Sequence, residues 1–183
     1  MQPDNATAIT APRGMAIIRP GVAEDAPAYR ELRLEALRKH PEAFSSDYET
    51  YLAKPMSFWA ERLNFDHPDN AVMMFFAAHD EGLIGMCGVA YARARKTRHS
   101  AYLVSMYVRP DWRGLRIADG LITACLEWAR ARGITILKLG VAATNVPAIR
   151  CYARCDFQVY GIEPRAIYDD GVFYDELLMM RTI

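Results

Sequence analysis

The chain has 183 residues, of which 52% are hydrophobic and 24% charged, a composition typical of a globular domain rather than a disordered chain. Basic and acidic residues number 22 each, so no overall charge favours nucleic acid or an acidic membrane surface. No apolar run approaches the roughly 18 residues that a membrane-spanning helix needs. We therefore expect neither a nucleic-acid partner nor a membrane partner.

The cysteines and the first residues indicate the compartment. The four cysteines form no CxxC pair and the four histidines are scattered, so we expect reduced, apolar-packed thiols and no metal site. Residues 1–14 are polar and lack the apolar core of a secretory signal. We expect a disordered tail over residues 1–14, one domain over residues 15–183, and a cytoplasmic protein that is a monomer or a homodimer.

Hydrophobic periodicity and turn residues predict a series of alternating elements. In chain order they are a strand at 15–19, a helix from about 23 to 40, a polar stretch at 41–55, a helix capped by Ser57, strands at 71–78, 83–91 and 101–108, a helix at 117–132, a strand at 134–141, a helix at 147–155, and strands at 157–168 and 172–181. This order predicts an α/β fold, a mixed twisted sheet of about seven strands with about four helices on its faces.

The junction at residues 106–121 carries the clearest chemical signal. A strand ends at Pro110, a turn follows at Arg113-Gly114, and a helix begins at Ile117. The first N–H groups of a helix have no partner within it, and the helix dipole adds about half a positive charge there. The junction therefore predicts an anion-binding site, and Arg116 adds further positive charge.

Two blocks of sequence resemble a known family. The run Arg113-Gly114-Leu115-Arg116-Ile117-Ala118 resembles the acyl-CoA pyrophosphate loop of the GNAT superfamily of N-acetyltransferases, with pattern Gln/Arg-x-x-Gly-x-Gly/Ala after a Val-x-Pro step. Residues 145–157 resemble the family's Asn-x-x-Ala-x-x-x-Tyr-x-x-x-Gly-Phe segment. The blocks stand in the family's order, with a strand between them, so the resemblance implies a GNAT fold and acetyl-CoA as co-substrate.

The resemblance also implies roles for individual residues. The main chain at Met106, Tyr107 and Val108 should pair with the pantetheine arm and hold the acetyl carbonyl. Asn145 should bond the same arm, and Tyr152 should stand near the thioester sulfur as general acid. The pyrophosphate should be held by the loop and the first helical turn, comprising Arg113, Gly114, Leu115, Arg116, Ile117, Ala118 and Asp119.

Two residues depart from the family pattern, because Arg116 and Asp156 stand where the family has glycines. A glycine is needed where the backbone approaches a ligand closely or adopts a positive φ. An ordinary helical φ at Arg116 would let its side chain point away or supply charge to a phosphate. Asp156 tolerates a left-handed φ better than most residues and can still end its helix.

The reaction needs a proton acceptor for the amine. A lysine-like amine has a pKa near 10.4, so at pH 7 only about one molecule in 10³ is neutral and nucleophilic. In the ribosomal-protein N-terminal acetyltransferases of this superfamily a glutamate lies on the strand before the asparagine, but the matching residue here is Gly140. Glu163 and His99 are the candidate bases, although His99 also suits a plain hairpin end.

The sequence thus predicts an acetyl-CoA-dependent N-acetyltransferase. The acetyl group passes to a primary amine, of a small molecule or of a peptide or protein, by direct attack in a ternary complex. Tyr152 and Glu163 are the predicted catalytic residues. The alternative is a non-catalytic acyl-CoA-binding or sensing module, which the missing strand glutamate and Arg116 favour.

Overall fold

The computed structural model describes residues 6–12, 14–64 and 71–183. Its strands are β1 (Thr7–Ala11), β2 (Gly14–Pro20), β3 (Val72–His79), β4 (Gly82–Tyr91), β5 (Ser100–Val108), β6 (Ile136–Ala142), β7 (Gln158–Asp169) and β8 (Val172–Thr182). Its helices are α1 (Ala26–Lys39), α2 (Tyr48–Leu52), α3 (Met56–Leu63), α4 (Ile117–Ala131) and α5 (Val146–Arg154).

The strands form one sheet in the order β1-β2-β3-β4-β5-β6-β8-β7. The β5–β6 pair is parallel and the other neighbours are antiparallel. The predicted mixed α/β sheet is therefore confirmed, with one strand and one helix more than expected. The extra helix is α2, whose N-cap Asp47 accepts a 2.7 Å hydrogen bond from the Thr50 N–H. Because α3 begins after Pro55, Ser57 lies inside that helix rather than at its cap.

The extra strand, β1, corrects our expectation of a disordered tail. Thr7–Ala11 pair antiparallel with β2 over five residues, while residues 1–5 and 13 lie outside the described part of the chain. Ile9 of this strand reaches α4, where a Cβ built at Gly120 would lie 2.7 Å from Ile9 Cδ1. Glycine at residue 120 thus leaves room on α4 for Ile9, the one large apolar side chain of this strand.

Helices cover both faces of the sheet. On one face α4 buries an apolar stripe that includes Leu121, Ile122 and Trp128. On the other face α1 and α3 enclose an aromatic group in which Tyr29 lies 5.2 Å from Trp59, ring centre to ring centre. Within the described ranges, every helix is too short or too polar to span a bilayer.

The sheet opens between its two parallel strands. Residues 100–102 of β5 pair with residues 136–138 of β6, and no later residues of the two strands pair. On its other side β5 carries a bulge, since the register with β4 shifts opposite Cys87 and Ser105 has a positive φ of 58°. A bulge bends its strand and changes the direction of the residues beyond it. Residues 106–108 therefore turn away from β6 and form one wall of a split.

Candidate functional site

A cavity of about 730 Å³ lies at this split. Its lining combines the end of β5, the loop before α4, and the start of α5. The lining residues include Met106, Tyr107, Val108, Arg113, Gly114, Arg116, Ile117, Ala118, Asp119, Asn145 and Tyr152. The predicted cofactor residues thus converge on one cavity, except Leu115, which packs against the core.

The loop before α4 presents free backbone donors to the cavity. Gly114 adopts a positive φ of 78°, and the first helical N–H with an acceptor is that of Gly120, which bonds the Arg116 carbonyl at 3.0 Å. Within the described ranges, the N–H groups of residues 114–119 donate to no protein acceptor. Such donors at the positive end of a helix dipole favour an anion.

Arg116 adopts the backbone conformation of the glycine that it replaces. It is the N-cap of α4 and has φ 62° and ψ 14°, in the left-handed region, so it does not have an ordinary helical φ. Its side chain is 73% exposed and lies 3.4 Å from Asp119, which also pairs with Arg154 at 3.3 Å. Two guanidinium groups around one carboxylate leave a net positive charge at the mouth of the cavity.

The end of β5 is held in place by polar contacts to α1. The Tyr107 hydroxyl donates a 2.9 Å hydrogen bond to Glu35, and Arg109 Nε donates a 3.0 Å bond to the same carboxylate. Burial and the Glu35 carboxylate raise the pKa of Tyr107 to about 12. Arg113 Nε donates a 3.1 Å hydrogen bond to the Val108 carbonyl, so the Arg113 side chain stabilises this wall of the split.

Local sequence explains the position of α5. Asn145 caps the helix by accepting a 3.2 Å bond from the Ala148 N–H, and its amide nitrogen has no acceptor in the described residues. At the other end Asp156 has φ 60°, the Asp156 N–H bonds Ala153, and the Phe157 N–H bonds the Tyr152 carbonyl. This is a Schellman motif, in which Asp156 serves as the usual glycine would.

The same motif positions Tyr152 at the cavity. Phe157 packs against its ring with centroids 6.0 Å apart, and Tyr152 is only 7% exposed. Burial raises the pKa of Tyr152 well above its usual range, and the thiols of Cys87 and Cys151 raise it further. The hydroxyl therefore keeps its proton at neutral pH and is available as a hydrogen-bond donor.

The two candidate bases lie in different places, and neither is among the residues that line the large cavity. Glu163 is exposed on β7, where it is paired across the strands with Glu176 of β8. His99 is exposed before β5, and its carbonyl accepts the Thr135 N–H at 2.8 Å. The structure favours His99 as a hairpin-end residue.

A second cavity of about 350 Å³ adjoins the first, since both share Phe44. The connection between α1 and α2 forms one wall and the end of β7 forms the other. Its polar and aromatic lining includes Ser45, Ser46, Asp47, Tyr48, Glu49, Tyr168 and Asp169. The sequence did not indicate Phe44, Tyr48 or Glu49 as site residues, because the spatial meeting of this connection with β7 has no local sequence signal.

The cysteines were predicted as free thiols. Cys87 and Cys125 are buried, Cys151 and Cys155 are half-buried, and all four are free. In the described part of the chain, no group of three or more His, Cys, Asp or Glu side chains is arranged to hold a metal ion.

Comparison with known proteins places the chain in a family. The model of the acetyltransferase (GNAT) family matches residues 29–157. A mycothiol acetyltransferase of Brachybacterium faecium is 31% identical over 140 residues, which cover 75% of this chain and 39% of that protein. The chain therefore spans about two fifths of the length of this relative.

Solved structures share the fold. A GNAT-family acetyltransferase from Streptococcus pneumoniae superposes with a TM-score of 0.81 at 22% identity, covering 92% of this chain and 99% of that chain. A phosphinothricin acetyltransferase from Sinorhizobium meliloti, crystallised with acetyl-CoA, gives 0.74 at 19% identity, covering 92% and 88%. Because the family model matches more than half of the chain, the chain belongs to the GNAT family of acetyltransferases.

Proposed function

We propose that this protein transfers an acetyl group from acetyl-CoA to a primary amine. The observation that carries this proposal is the row of free N–H groups at residues 114–119, which, apart from Leu115, line a cavity beside an opened sheet. Acetyl-CoA would supply the acetyl group and a thiolate leaving group. The cavity fits its chemistry, because the helix end and the arginines Arg116 and Arg154 suit a pyrophosphate.

The other predicted residues have roles consistent with this binding mode. The main chain of residues 106–108 lines the split and would hold the extended arm, and the free amide nitrogen of Asn145 would donate to it. Tyr152 would donate a proton or a hydrogen bond to the departing sulfur, since burial keeps its hydroxyl protonated. Glu163 is the base that the sequence proposes, and its exposure on β7 leaves it open to solvent.

The acceptor would enter through the second cavity. Asp47, Glu49 and Asp169 place carboxylates around aromatic rings there, which suits a cation. The volume of about 350 Å³ suits a small amine or an amino-acid-like acceptor better than a long peptide. Two named relatives, which act on L-methionine sulfoximine or on thialysine, are 29% and 32% identical to parts of this chain.

A thiol-release assay tests the proposal. The protein is incubated with acetyl-CoA and a panel of small amines, amino acids, and peptides with a free N-terminus or a lysine. We expect release of free thiol that depends on the amine, with a reaction lacking amine as the control. A rise in melting temperature with acetyl-CoA but no acetylated amine would instead establish the non-catalytic binding module.

A further inference from the structure

Gly140 and Glu176 form the feature that carries this inference. A Cβ built on Gly140 would lie 3.0 Å from Cδ and 3.3 Å from Oε1 of Glu176, with Oε2 closer still. The carboxylate group of β8 therefore occupies the space that a side chain on β6 would take. Only glycine at residue 140 leaves that space open without moving Glu176.

The location of this carboxylate relative to the split follows from strand alternation. Lys138 is the last β6 residue that pairs with β5, so Gly140 lies where the split begins, and Glu176, like Glu163, stands outside the residues that line the two cavities. Leu139 and Val141 point into the core that contains Tyr152. Since successive side chains of a strand point to opposite faces, the carboxylate over Gly140 lies on the face opposite Tyr152.

Glu176 is also poised to accept a proton. It is half-buried, and among the described residues it receives no hydrogen bond or ion pair from a side chain. Burial raises the pKa of Glu176 above its usual range, and the paired carboxylate of Glu163 raises it further. A carboxylate that is buried without a counter-charge is a stronger base than an exposed one.

We propose that Glu176, whose side chain reaches from β8 over Gly140 of β6, is the general base that accepts the proton of the acceptor amine. This proposal rests on the proposed acetyl transfer and completes it. Glu163, exposed and adjacent, then acts through Glu176 as a positioning residue that keeps its neighbour basic. Strand β6 has Gly140 where a catalytic glutamate was expected, and Glu176 of β8 supplies the carboxylate instead.

The proton balance of the step is complete. Glu176 takes one proton from the ammonium group, and the lone pair of the neutral nitrogen forms the C–N bond as the C–S bond breaks. The sulfur takes a proton from the Tyr152 hydroxyl, which regains one from the amide nitrogen through water. Glu176 returns its proton to water, so the step yields amide, thiol and one released proton.

The charged and titratable groups that share this face set the pH dependence. They are Glu163, Tyr160 and Asp169 on β7, Lys138 on β6, Tyr102 on β5, Tyr174 on β8, and Glu42 in the 3-10 turn Pro41–Ala43, which packs on β6 and β7. Of these, Glu163 is the group directly paired with Glu176. Rate should fall as acid protonates Glu176, at a pH above the ordinary glutamate value of about 4.3.

The first test compares Glu176→Gln with wild type from pH 6 to pH 10, using an amine found active with the wild-type protein. We expect kcat near pH 7 to fall about 10²-fold or more while the affinity for acetyl-CoA is kept. The loss should narrow toward pH 10, where solvent deprotonates the amine. Glu127→Gln, the same chemical change on the exposed side of α4, is the matched control.

Two further variants separate base chemistry from damaged folding. In Glu176→Ala/Gly140→Glu the carboxylate moves to β6 and the space for its Cβ is cleared, so we expect at least tenfold recovery over Glu176→Ala. Glu163→Gln should shift the acid limb of the rate profile to lower pH with a smaller loss of kcat.

The outcomes are distinct. A Glu176→Gln protein with wild-type kcat, or with the same loss at every pH, overturns the role of Glu176 and leaves the proposed acetyl transfer standing. A wild-type protein that acetylates no amine overturns both.

Discussion

The Tyr107 hydroxyl and the Glu35 carboxylate, 72 residues apart in sequence, form a 2.9 Å hydrogen bond that joins β5 to α1. Glu35 also accepts bonds from Lys39 at 2.9 Å and Arg109 at 3.0 Å. Burial alone would raise the pKa of Glu35, but these donors lower it on balance. The wall of the cavity that carries residues 106–108 is thus anchored through one carboxylate.

Tyr107→Phe tests this anchor. We expect the free energy of unfolding to fall by about 1–2 kcal/mol, since a hydrogen bond to a charged group contributes about 1.5–3 and Glu35 keeps two other donors. Urea unfolding measures the change, and Tyr102→Phe, which removes an exposed hydroxyl from the same strand, is the control. Equal stability of the two variants would contradict the anchoring role.

Tyr107 should also make the stability of the fold depend on alkaline pH. The folded state raises the pKa of Tyr107 from its ordinary 10 to about 12, so it favours the protonated hydroxyl. That contribution is complete below pH 10 and is lost as pH rises to 12. The stability advantage of wild type over Tyr107→Phe should therefore shrink across this range in urea titrations, and a constant difference would exclude it.

Tyr152→Phe is predicted to separate chemistry from binding. The phenyl ring keeps the contact with Phe157, whereas the hydroxyl proposed to donate to the sulfur is lost. We expect kcat to fall about 10²-fold or more with the acetyl-CoA dissociation constant unchanged. Calorimetric titration of acetyl-CoA beside steady-state rates measures both quantities, and unchanged turnover would remove Tyr152 as the acid.

Arg116 allows backbone strain and charge to be measured separately. A left-handed non-glycine residue costs about 1–2 kcal/mol, so Arg116→Gly should gain up to about 1 kcal/mol after the greater freedom of glycine in the unfolded chain is subtracted. Arg116→Ala keeps the strain and removes the charge. In thermal unfolding, Arg116→Gly should be more stable than Arg116→Ala. Both variants should bind acetyl-CoA more weakly than wild type, and to the same degree. Equal stability of the two variants would show that the N-cap is not strained.

Acid should lower the stability of the fold by breaking the ion pair of Asp25 and Arg19, which form two 2.7 Å hydrogen bonds. Burial raises the pKa of Asp25, but the bonds from Arg19 and from the Val22 N–H lower it on balance. The resulting stability is present above the ordinary aspartate value of about 3.9 and is lost as pH falls through the lower folded value.

Asp25→Asn measures that contribution. The variant should be less stable than wild type by about 2–3 kcal/mol at pH 7, below the roughly 3–5 kcal/mol of a fully buried broken pair because Arg19 is partly exposed. The difference from wild type should disappear in acid. Asp80→Asn, in the exposed turn after β3, is the control for the loss of a carboxylate. A difference that persists unchanged at low pH would contradict the ionic origin.

The loop, α4 and α5 were predicted from the sequence because their contacts are local. Pro110, the Arg113-Gly114 turn and the helical spacing after Ile117 specify a strand-turn-helix within sixteen residues of chain, 106–121. Helix α5 ends through two local hydrogen bonds, from the Asp156 N–H to Ala153 three residues back and from the Phe157 N–H to Tyr152 five residues back. Helix propensity and capping act between residues a few positions apart, so a residue pattern is enough to identify the loop and the two helices.

The Glu163–Glu176 pair required the folded structure. A regular hairpin counted from the turn at 170–171, where Asp169 pairs with Val172, would set Glu163 opposite Leu178. A register shift between Glu163 and Ile167, where Arg165 has φ 56°, moves Glu176 opposite Glu163 instead. A bulge changes the partner of every residue beyond it, and Pro164 indicates an irregularity in the strand without giving the size of the shift.

Residue type and spacing thus identified the family and predicted residues that meet at the large cavity, since helix ends, caps and turns depend on neighbours a few residues away. The contact of β1 with Gly120 and the carboxylate of Glu176 over Gly140 join residues far apart in sequence. Such contacts depend on strand order, on register and on the absence of a single Cβ. Only the packing of the whole fold brings these three conditions together.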